Sequence, residues 1–353
     1  MQFPIACIGR VPYSACEHSR CYARSNCEGC PSIPVPAYFR VSDADWYRQL
    51  LADGPDEVNP WRPGGQRGFR AIEPGSLFLF KLHYPANAIV GGGWFVRFEF
   101  LPVALAWAAF ERKNGVRDRR EFLTRIRKYR RDEVGPDPVI GCIVLTEPFY
   151  FAESAWIGAP ADWPPNAVQG KTYDLLRGEG ARIWEEVRLR LASAREVPPG
   201  GELIAAASTG RPAVVLNEAR PERWAEIRSR LGQGGFRVAV TGAYHRRCAV
   251  TGEKTLTVLE AAHIRPYAEQ GPNDVRNGLL LRSDLHRLFD SGYVTVDPDH
   301  RVVVSRRIRE EFENGREYYR FDGQRLVNLP RREERPERSF LAWHIDNVFE
   351  VGR

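Results

Sequence analysis

The chain has 353 residues, of which 43% are hydrophobic and 27% are charged. This length is generous for one compact domain and suits two, and the composition is that of a globular protein rather than a fibrous or disordered one. No apolar run reaches the roughly 18 residues of a membrane span, and no basic start leads into an apolar segment, so we expect a cytoplasmic protein.

The formal net charge is +6, and arginine supplies nearly all of the basic excess. Arginine suits phosphate oxygens and guanine edges, which favours a nucleic-acid partner. A GC-rich coding sequence would give the same bias, so charge alone does not decide between the two explanations.

Residues 1–34 form a cysteine-rich extension, because most of the seven cysteines lie there. One hypothesis is a structural zinc ion, and its ligands would be Cys16, Cys21, Cys27 and Cys30. The spacing of the first pair is wider than zinc ribbons commonly use. The alternative is a disordered extension, since a hydrophobic pattern begins only near Tyr38.

Residues 35–195 predict one mixed α/β unit. Strands are predicted at 37–41, 75–82, 88–96 and 139–145, and helices are predicted after a cap at Ser42 and at 105–110, 119–131 and 180–191. Three consecutive glycines at positions 91–93 are expected to interrupt the third strand. A Gly-Lys-Thr sequence at 170–172 lacks the upstream glycine of a phosphate-binding loop, so we expect no nucleotide site there.

Aromatic residues and glycine-rich turns recur through this unit, which weakly resembles the PUA-like superfamily (SRA, EVE and ASCH domains). The resemblance implies a small β-barrel with a concave pocket that can hold a flipped base between aromatic rings. Candidate stacking residues are Trp46 and Trp94, with Trp61 and Trp156 as further candidates. Ordinary core packing is the alternative for each ring.

Residues 196–225 contain a Pro-Pro-Gly-Gly sequence and a run of small residues, which predict a linker. Residues 226–353 then form a second unit. Its pattern predicts a short helix, two brief strands, a loop, a helix and a strand pair at 293–297 and 301–305.

The most informative segment of the second unit is LEAAHIRP (259–266), NGLLL (277–281) and DLHRLFD (284–290). His263 lies near a strand end, where a neutral imidazole can act as a general base. His286 and Asp290 are four residues apart on a predicted helix and therefore share one face. A nitrogen and a carboxylate so placed can bind one divalent ion.

This ordered set resembles the HNH endonuclease family, with its ββα-metal fold, over residues 230–305. The resemblance implies that His263 is the general base and that Asn277 holds the loop and orients His263. It also implies that His286 and Asp290 bind the ion, Mg²⁺ or Mn²⁺ being expected. A single histidine of this kind would more often be structural, but the ordered set favours a nuclease.

Ala262 departs from the pattern, because many members carry a further metal ligand immediately before the base. Either water fills that position, or Glu260 contributes from two residues back on the same strand face. Cys248 has no neighbouring thiols, so we expect it to pack as a small apolar residue and expect no structural zinc in this unit.

Basic residues surround the motif. As a group they predict a rim that contacts DNA phosphates, with Arg247, Arg265, Arg282 and Arg287 as the candidates. Any one of them alone would more often be a solvated surface residue.

Together these patterns predict an α+β protein: an N-terminal PUA-like small β-barrel with flanking helices, joined to a C-terminal ββα-metal HNH domain. The expected function is that of a metal-dependent DNA endonuclease of a restriction system. The organisation resembles that of enzymes that cut DNA with modified cytosine. A homodimer that makes paired cuts is one option for the assembly. Two alternatives stay open: a DNA-binding protein with an inactive HNH remnant, which Ala262 favours, and a toxin-like RNase.

Overall fold

The structure is a computed structural model that describes residues 34–130, 135–196 and 231–349. The proposed zinc ligands Cys16, Cys21, Cys27 and Cys30 and nearly all of the expected linker lie outside these residues, so both stay predictions. Within the three described ranges, no helix combines the length and apolarity needed to cross a bilayer.

Seven strands of the N-terminal half form one mixed sheet. They are β1 (Pro36–Ser42), β2 (Glu57–Val58), β3 (Leu77–Leu82), β4 (Ala88–Pro102), β5 (Val139–Tyr150), β6 (Ile157–Gly158) and β7 (Gly170–Asp174). Their order is β2-β5-β4-β3-β1-β7, with β6 pairing beside β4, and β1 runs parallel to β3. Among the described strands this path is open, because β2 and β7 each pair on one side only, so the predicted closed barrel is not confirmed.

Four helices accompany this sheet: α1 (Ala44–Asp53), α2 (Val103–Phe110), α3 (Arg119–Tyr129) and α4 (Gly178–Glu196). Ser42 was expected to cap α1, but it is the last residue of β1, and the capping position is occupied by Asp43. A single turn, Glu111–Asn114, follows α2 directly.

The three glycines do not end β4, which runs on to Pro102 and pairs with β3 and β5. The pairing does shift register beside them, between Gly92 and Trp94 on the β5 side and opposite Phe80 and Lys81 on the β3 side, as in a β-bulge. A Cβ atom at Gly91 would lie 2.2 Å from the carbonyl oxygen of Phe149, and one at Gly92 would lie 2.6 Å from that of Phe78. Glycine is therefore required here for close approach of the neighbouring backbones.

The C-terminal part begins with α5 (Gln233–Ala243) and continues with β8 (Leu259–His263), β9 (Gly278–Arg282) and α6 (Ser283–Asp290). β8 and β9 form an antiparallel pair in which His263 lies opposite Gly278, and α6 follows β9 without a loop. This is the expected ββα arrangement. The remaining elements are β10 (Val294–Val296), β11 (Val302–Val304), α7 (Arg307–Phe312), α8 (Arg316–Tyr319) and α9 (Arg338–Asn347).

Helix α5 is buried along most of its length. A helix buried on all sides belongs to the interior of a protein rather than to its surface. Phe236 of α5 shares one hydrophobic core with Phe110 and Ile140 of the N-terminal half and with Leu279 of the ββα unit. Cys248 is also buried in this core without a disulfide, as expected for a small apolar residue.

Candidate active site

A cleft of about 870 Å³ opens between the ββα unit and the turn that follows α2. The strand β8 contributes Glu260 and His263, and α6 contributes His286. The opposite wall is formed by residues 108–113 of the N-terminal half and by Arg237 of α5. Residues from both halves of the chain therefore line the cleft that contains the predicted base.

The ring of His263 is fixed from two sides. Its Nε2 atom lies 2.8 Å from Oδ1 of Asn273, and its ring stacks on Phe236 with 3.8 Å between centroids. The amide group of Asn273 donates to the carbonyl oxygen of Leu231 at 2.7 Å, which leaves its oxygen facing His263. An amide oxygen only accepts, so Nε2 carries the proton and Nδ1 is the basic nitrogen of the neutral ring.

Burial lowers the pKa of His263 below its usual value, and this effect exceeds the opposing effect of the Asn273 hydrogen bond. The imidazole is therefore neutral at pH 7. A neutral imidazole with one free nitrogen at a cleft is the state that a general base requires.

Asn277 is completely buried and is bonded to the backbone of its own loop. Its Oδ1 accepts from the Arg265 amide, and its Nδ2 donates to the carbonyl oxygens of Arg265 and Pro272, all at 2.9 Å. These bonds tie Asn277 to its own loop, whereas the amide that contacts the imidazole of His263 belongs to Asn273 and not to Asn277.

His286 is held between two carboxylates. Its Nδ1 lies 2.6 Å from Oε2 of Glu260, and its Nε2 lies 3.2 Å from Oδ2 of Asp290. A carboxylate only accepts, so Glu260 fixes the Nδ1 proton and directs Nε2 toward Asp290. Burial raises the pKa of Asp290, against the lowering effect of His286.

The side chains of His286 and Asp290 fit a divalent ion in part. No group of three or more His, Cys, Asp or Glu residues in the described ranges is arranged to hold a metal ion. Two ligands about 2.1 Å from an ion and at right angles are about 3 Å apart, so the 3.2 Å between Nε2 and Oδ2 suits neighbouring octahedral positions. Glu260 contacts the other nitrogen of His286 and so fits a supporting carboxylate rather than a third ligand.

The four predicted phosphate-binding arginines differ in their surroundings. Arg282 forms an ion pair with Asp284 at 2.6 Å, and Arg265 donates to the Glu269 carbonyl oxygen at 2.6 Å. Arg247 and Arg287 are exposed. Arg237 has no ion-pair partner among the residues the structure describes, and it lines the cleft beside His263.

Trp46 and Trp94, the predicted base-stacking residues, are each only 6% exposed. The indole nitrogen of Trp46 donates to the Asn114 carbonyl oxygen at 3.0 Å, and its ring packs edge-on against Phe80. Trp94 packs in a second core with Leu77. Both rings fill hydrophobic cores and offer no free face for a base in this conformation.

Sequence reasoning did not identify Asn273 or Phe236 as parts of the site. Asn273 stands four residues before Asn277, and nothing in the local pattern distinguishes which asparagine contacts the histidine. Phe236 belongs to a short apolar helix and carries no motif. Only the fold brings its ring onto His263.

The chain is similar to known proteins in sequence and in structure. Residues 248–297 match a family model described as HNH endonuclease, whereas the search of curated proteins finds no match. Similar solved structures include an ASCH protein from Zymomonas mobilis, with 10% identity over 43% of this chain and 97% of that chain at a TM-score of 0.31. Another is the modification-dependent restriction endonuclease TagI, with 14% identity over 84% of this chain and 76% of that chain at a TM-score of 0.24. The matched segment contains His263, Asn277 and His286, and the expected similarity of this segment to HNH endonucleases is confirmed.

Proposed function

We propose that this protein is a divalent-metal-dependent DNA endonuclease that uses His263 as its general base. The observation that carries the proposal is the state of His263: its Nε2 proton is fixed by Asn273, its pKa is lowered by burial, and it lines an open cleft. The match of residues 248–297 to HNH endonucleases supports the same assignment.

In the proposed reaction, Nδ1 of His263 takes a proton from a water molecule as the water oxygen attacks phosphorus. The new P–O bond forms as the bond to the leaving sugar oxygen breaks, and that oxygen takes up a proton from solvent. His286 and Asp290 would hold the divalent ion, which supplies positive charge beside the scissile phosphate when it is bound. Glu260 keeps the His286 ring in place, and Arg237 offers a cation to the phosphate at the cleft wall.

The substrate selection is proposed to reside in the N-terminal half, with modified cytosine as the candidate base. Support for this part is the sequence similarity to PUA-like base readers. The burial of Trp46 and Trp94 argues against those two rings as the stacking surface in this conformation. A homodimer that makes paired cuts is part of the same proposal.

A second candidate function is DNA binding without cleavage. The observations that favour it are Ala262, which cannot bind a metal, and the lack of a three-ligand group among the described side chains. This candidate predicts that DNA is retained and never nicked, whichever divalent ion is supplied.

The deciding experiment compares the wild-type protein with His263→Ala on unmodified, methylated, hydroxymethylated and glucosylated DNA and on RNA. Each substrate is tested with Mg²⁺, Mn²⁺, Co²⁺ and Ni²⁺. We expect metal-dependent DNA cleavage by the wild type and a fall of about 10²–10⁴-fold in the variant, with DNA binding retained. The control is His245→Gln, because His245 is exposed and lies outside the cleft.

Unchanged cleavage by His263→Ala would show that His263 is not the base. No cleavage by the wild type with any of the four metals would favour the DNA-binding candidate. Degradation of RNA with DNA spared would favour a ribonuclease.

A further inference from the structure

Glu57 is a charged residue with an unusual position. It lies on β2 in the N-terminal half, and its side chain is completely buried. Its Oε1 accepts from the Gly234 amide at 2.9 Å, and its Oε2 accepts from the Gly235 amide at 2.8 Å. The Lys113 ammonium group, on the turn after α2, lies 3.0 Å from Oε1.

Gly234 and Gly235 belong to the first turn of α5, so Glu57 occupies the N-terminal end of that helix. The first amides of a helix have no partner within the helix, and a negative charge at this end is favourable. Such partners usually come from residues next to the helix, whereas Glu57 is 177 residues away from Gly234. A Cβ atom on Gly235 would lie 2.6 Å from the carboxylate, so the glycine leaves the space that the carboxylate fills.

The first turn of α5 and the residues immediately before it supply both contacts that fix the imidazole of His263. Phe236 follows Gly235 directly, and its ring stacks on His263. Leu231, two residues before the helix, accepts from the amide of Asn273, whose oxygen in turn accepts from Nε2 of His263. A displacement of this turn would therefore disturb the stacking and the hydrogen bond at once.

We propose that Glu57 is a positioning residue for His263: its carboxylate anchors the first turn of α5 and so keeps the imidazole of the general base in place. The N-terminal half is then a structural part of the active site and not only a device that selects DNA. This inference rests on the proposed function of His263 as the base.

An ion pair elsewhere between the two parts of the chain provides a matched control. Arg97 of β4 contacts Glu334 at 2.6 Å, and both side chains are largely buried. Neither residue contacts α5 or His263 through a hydrogen bond in the described structure. Glu334→Gln therefore weakens the junction between the two parts without touching the support of the base.

The test uses the full chain with Glu57→Gln and Glu334→Gln. In glutamine an NH₂ group replaces one carboxylate oxygen, and this group only donates, so it cannot accept from the glycine amide that faces that oxygen. We expect kcat for DNA cleavage to fall about tenfold or more in Glu57→Gln with KM unchanged, because a small displacement of a catalytic group lowers the rate strongly. We expect Glu334→Gln to keep the wild-type kcat even where it lowers thermal stability.

A second measurement is independent of nuclease activity. In the wild type we expect the stacking on Phe236 to shift the ring-proton NMR signals of His263 upfield. These signals should move toward their unstacked positions in Glu57→Gln and stay in place in Glu334→Gln. Unmoved His263 signals in Glu57→Gln would overturn the inference, and so would an equal loss of kcat in the two variants.

If Glu57→Gln fails to fold, Glu57→Asp replaces it, because aspartate keeps the negative charge but its shorter side chain withdraws the carboxylate from the two glycine amides. Its expected result is the same loss of kcat and the same movement of the His263 signals, and a wild-type kcat would overturn the inference. Failure of the proposed function looks different: His263→Ala would then cleave normally, while the effect of Glu57→Gln on the His263 signals would persist.

Discussion

The conformation of the loop between β8 and β9 is held by hydrogen bonds of the Asn277 side chain. The substitution Asn277→Ala tests how much these bonds contribute to stability. The alanine removes three hydrogen bonds to backbone groups and leaves the Arg265 amide and two carbonyl oxygens without these partners. Asn277 is completely buried, so water cannot replace the lost bonds without opening the loop.

The expected magnitude follows from these bonds. Each contributes about 1 kcal/mol net, which gives about 3 kcal/mol, and unsatisfied buried groups raise the total to about 3–5 kcal/mol. Part of this loss can appear as local opening rather than global unfolding, because loops open at lower free energy than cores. We therefore expect faster amide hydrogen exchange at Arg265, whose N–H group loses its acceptor.

The assay combines urea denaturation with amide exchange. The control is Asn328→Ala, because Asn328 also donates to two backbone carbonyl oxygens, those of Tyr244 and Arg247, but forms no hydrogen bond with the β8–β9 loop in the described part of the chain. We expect Asn277→Ala to accelerate exchange at Arg265 and to lower DNA cleavage through displacement of the loop, and Asn328→Ala to do neither. A stability loss below about 1 kcal/mol together with unchanged exchange at Arg265 would refute this account.

Two further predictions concern His263 and His286. Asn273→Asp places a carboxylate beside Nε2 of His263, which favours the imidazolium and raises the pKa of His263 that burial now lowers. The acidic limb of the kcat/KM profile should therefore move up by about 1–3 pH units, so that activity is lost at low pH and retained well above the new pKa. An unmoved limb would contradict the assignment of His263 as the base. Glu260→Gln removes the carboxylate that fixes the His286 ring. The affinity of the protein for Mn²⁺, measured by calorimetry, should fall about 10–100-fold. An unchanged affinity would show that Glu260 does not support His286 as a metal ligand.

The local part of the site could be predicted from sequence because its elements are adjacent in the chain. β8, β9 and α6 follow one another within about thirty residues, and helical spacing alone brings His286 and Asp290 together. The alternation of side chains along β8 already made Glu260 one of two alternatives for the position that Ala262 leaves without a ligand, the other being water. In the structure Glu260 contacts Nδ1 of His286 and so supports its ring.

The remainder depends on contacts between distant segments. The stacking of Phe236 on His263 and the bonds from Glu57 to Gly234 and Gly235 have no local signature. The prediction of a closed barrel is not confirmed for a similar reason. Closure of a sheet depends on how its edge strands pair, and the edge strand β2 has only two residues. A pattern of alternating residues predicts strands but not the order in which they pair.

The burial of α5 has a consequence for exchanging parts between nucleases. The matched HNH segment begins at residue 248, after α5 has ended. A graft cut at that point would leave Phe236 behind, and the transferred base would lose its stacking partner. A chimera that keeps His263 supported must carry α5 together with β2, the strand that bears Glu57. The segment that must be transferred to keep this active site intact is therefore longer than the HNH motif.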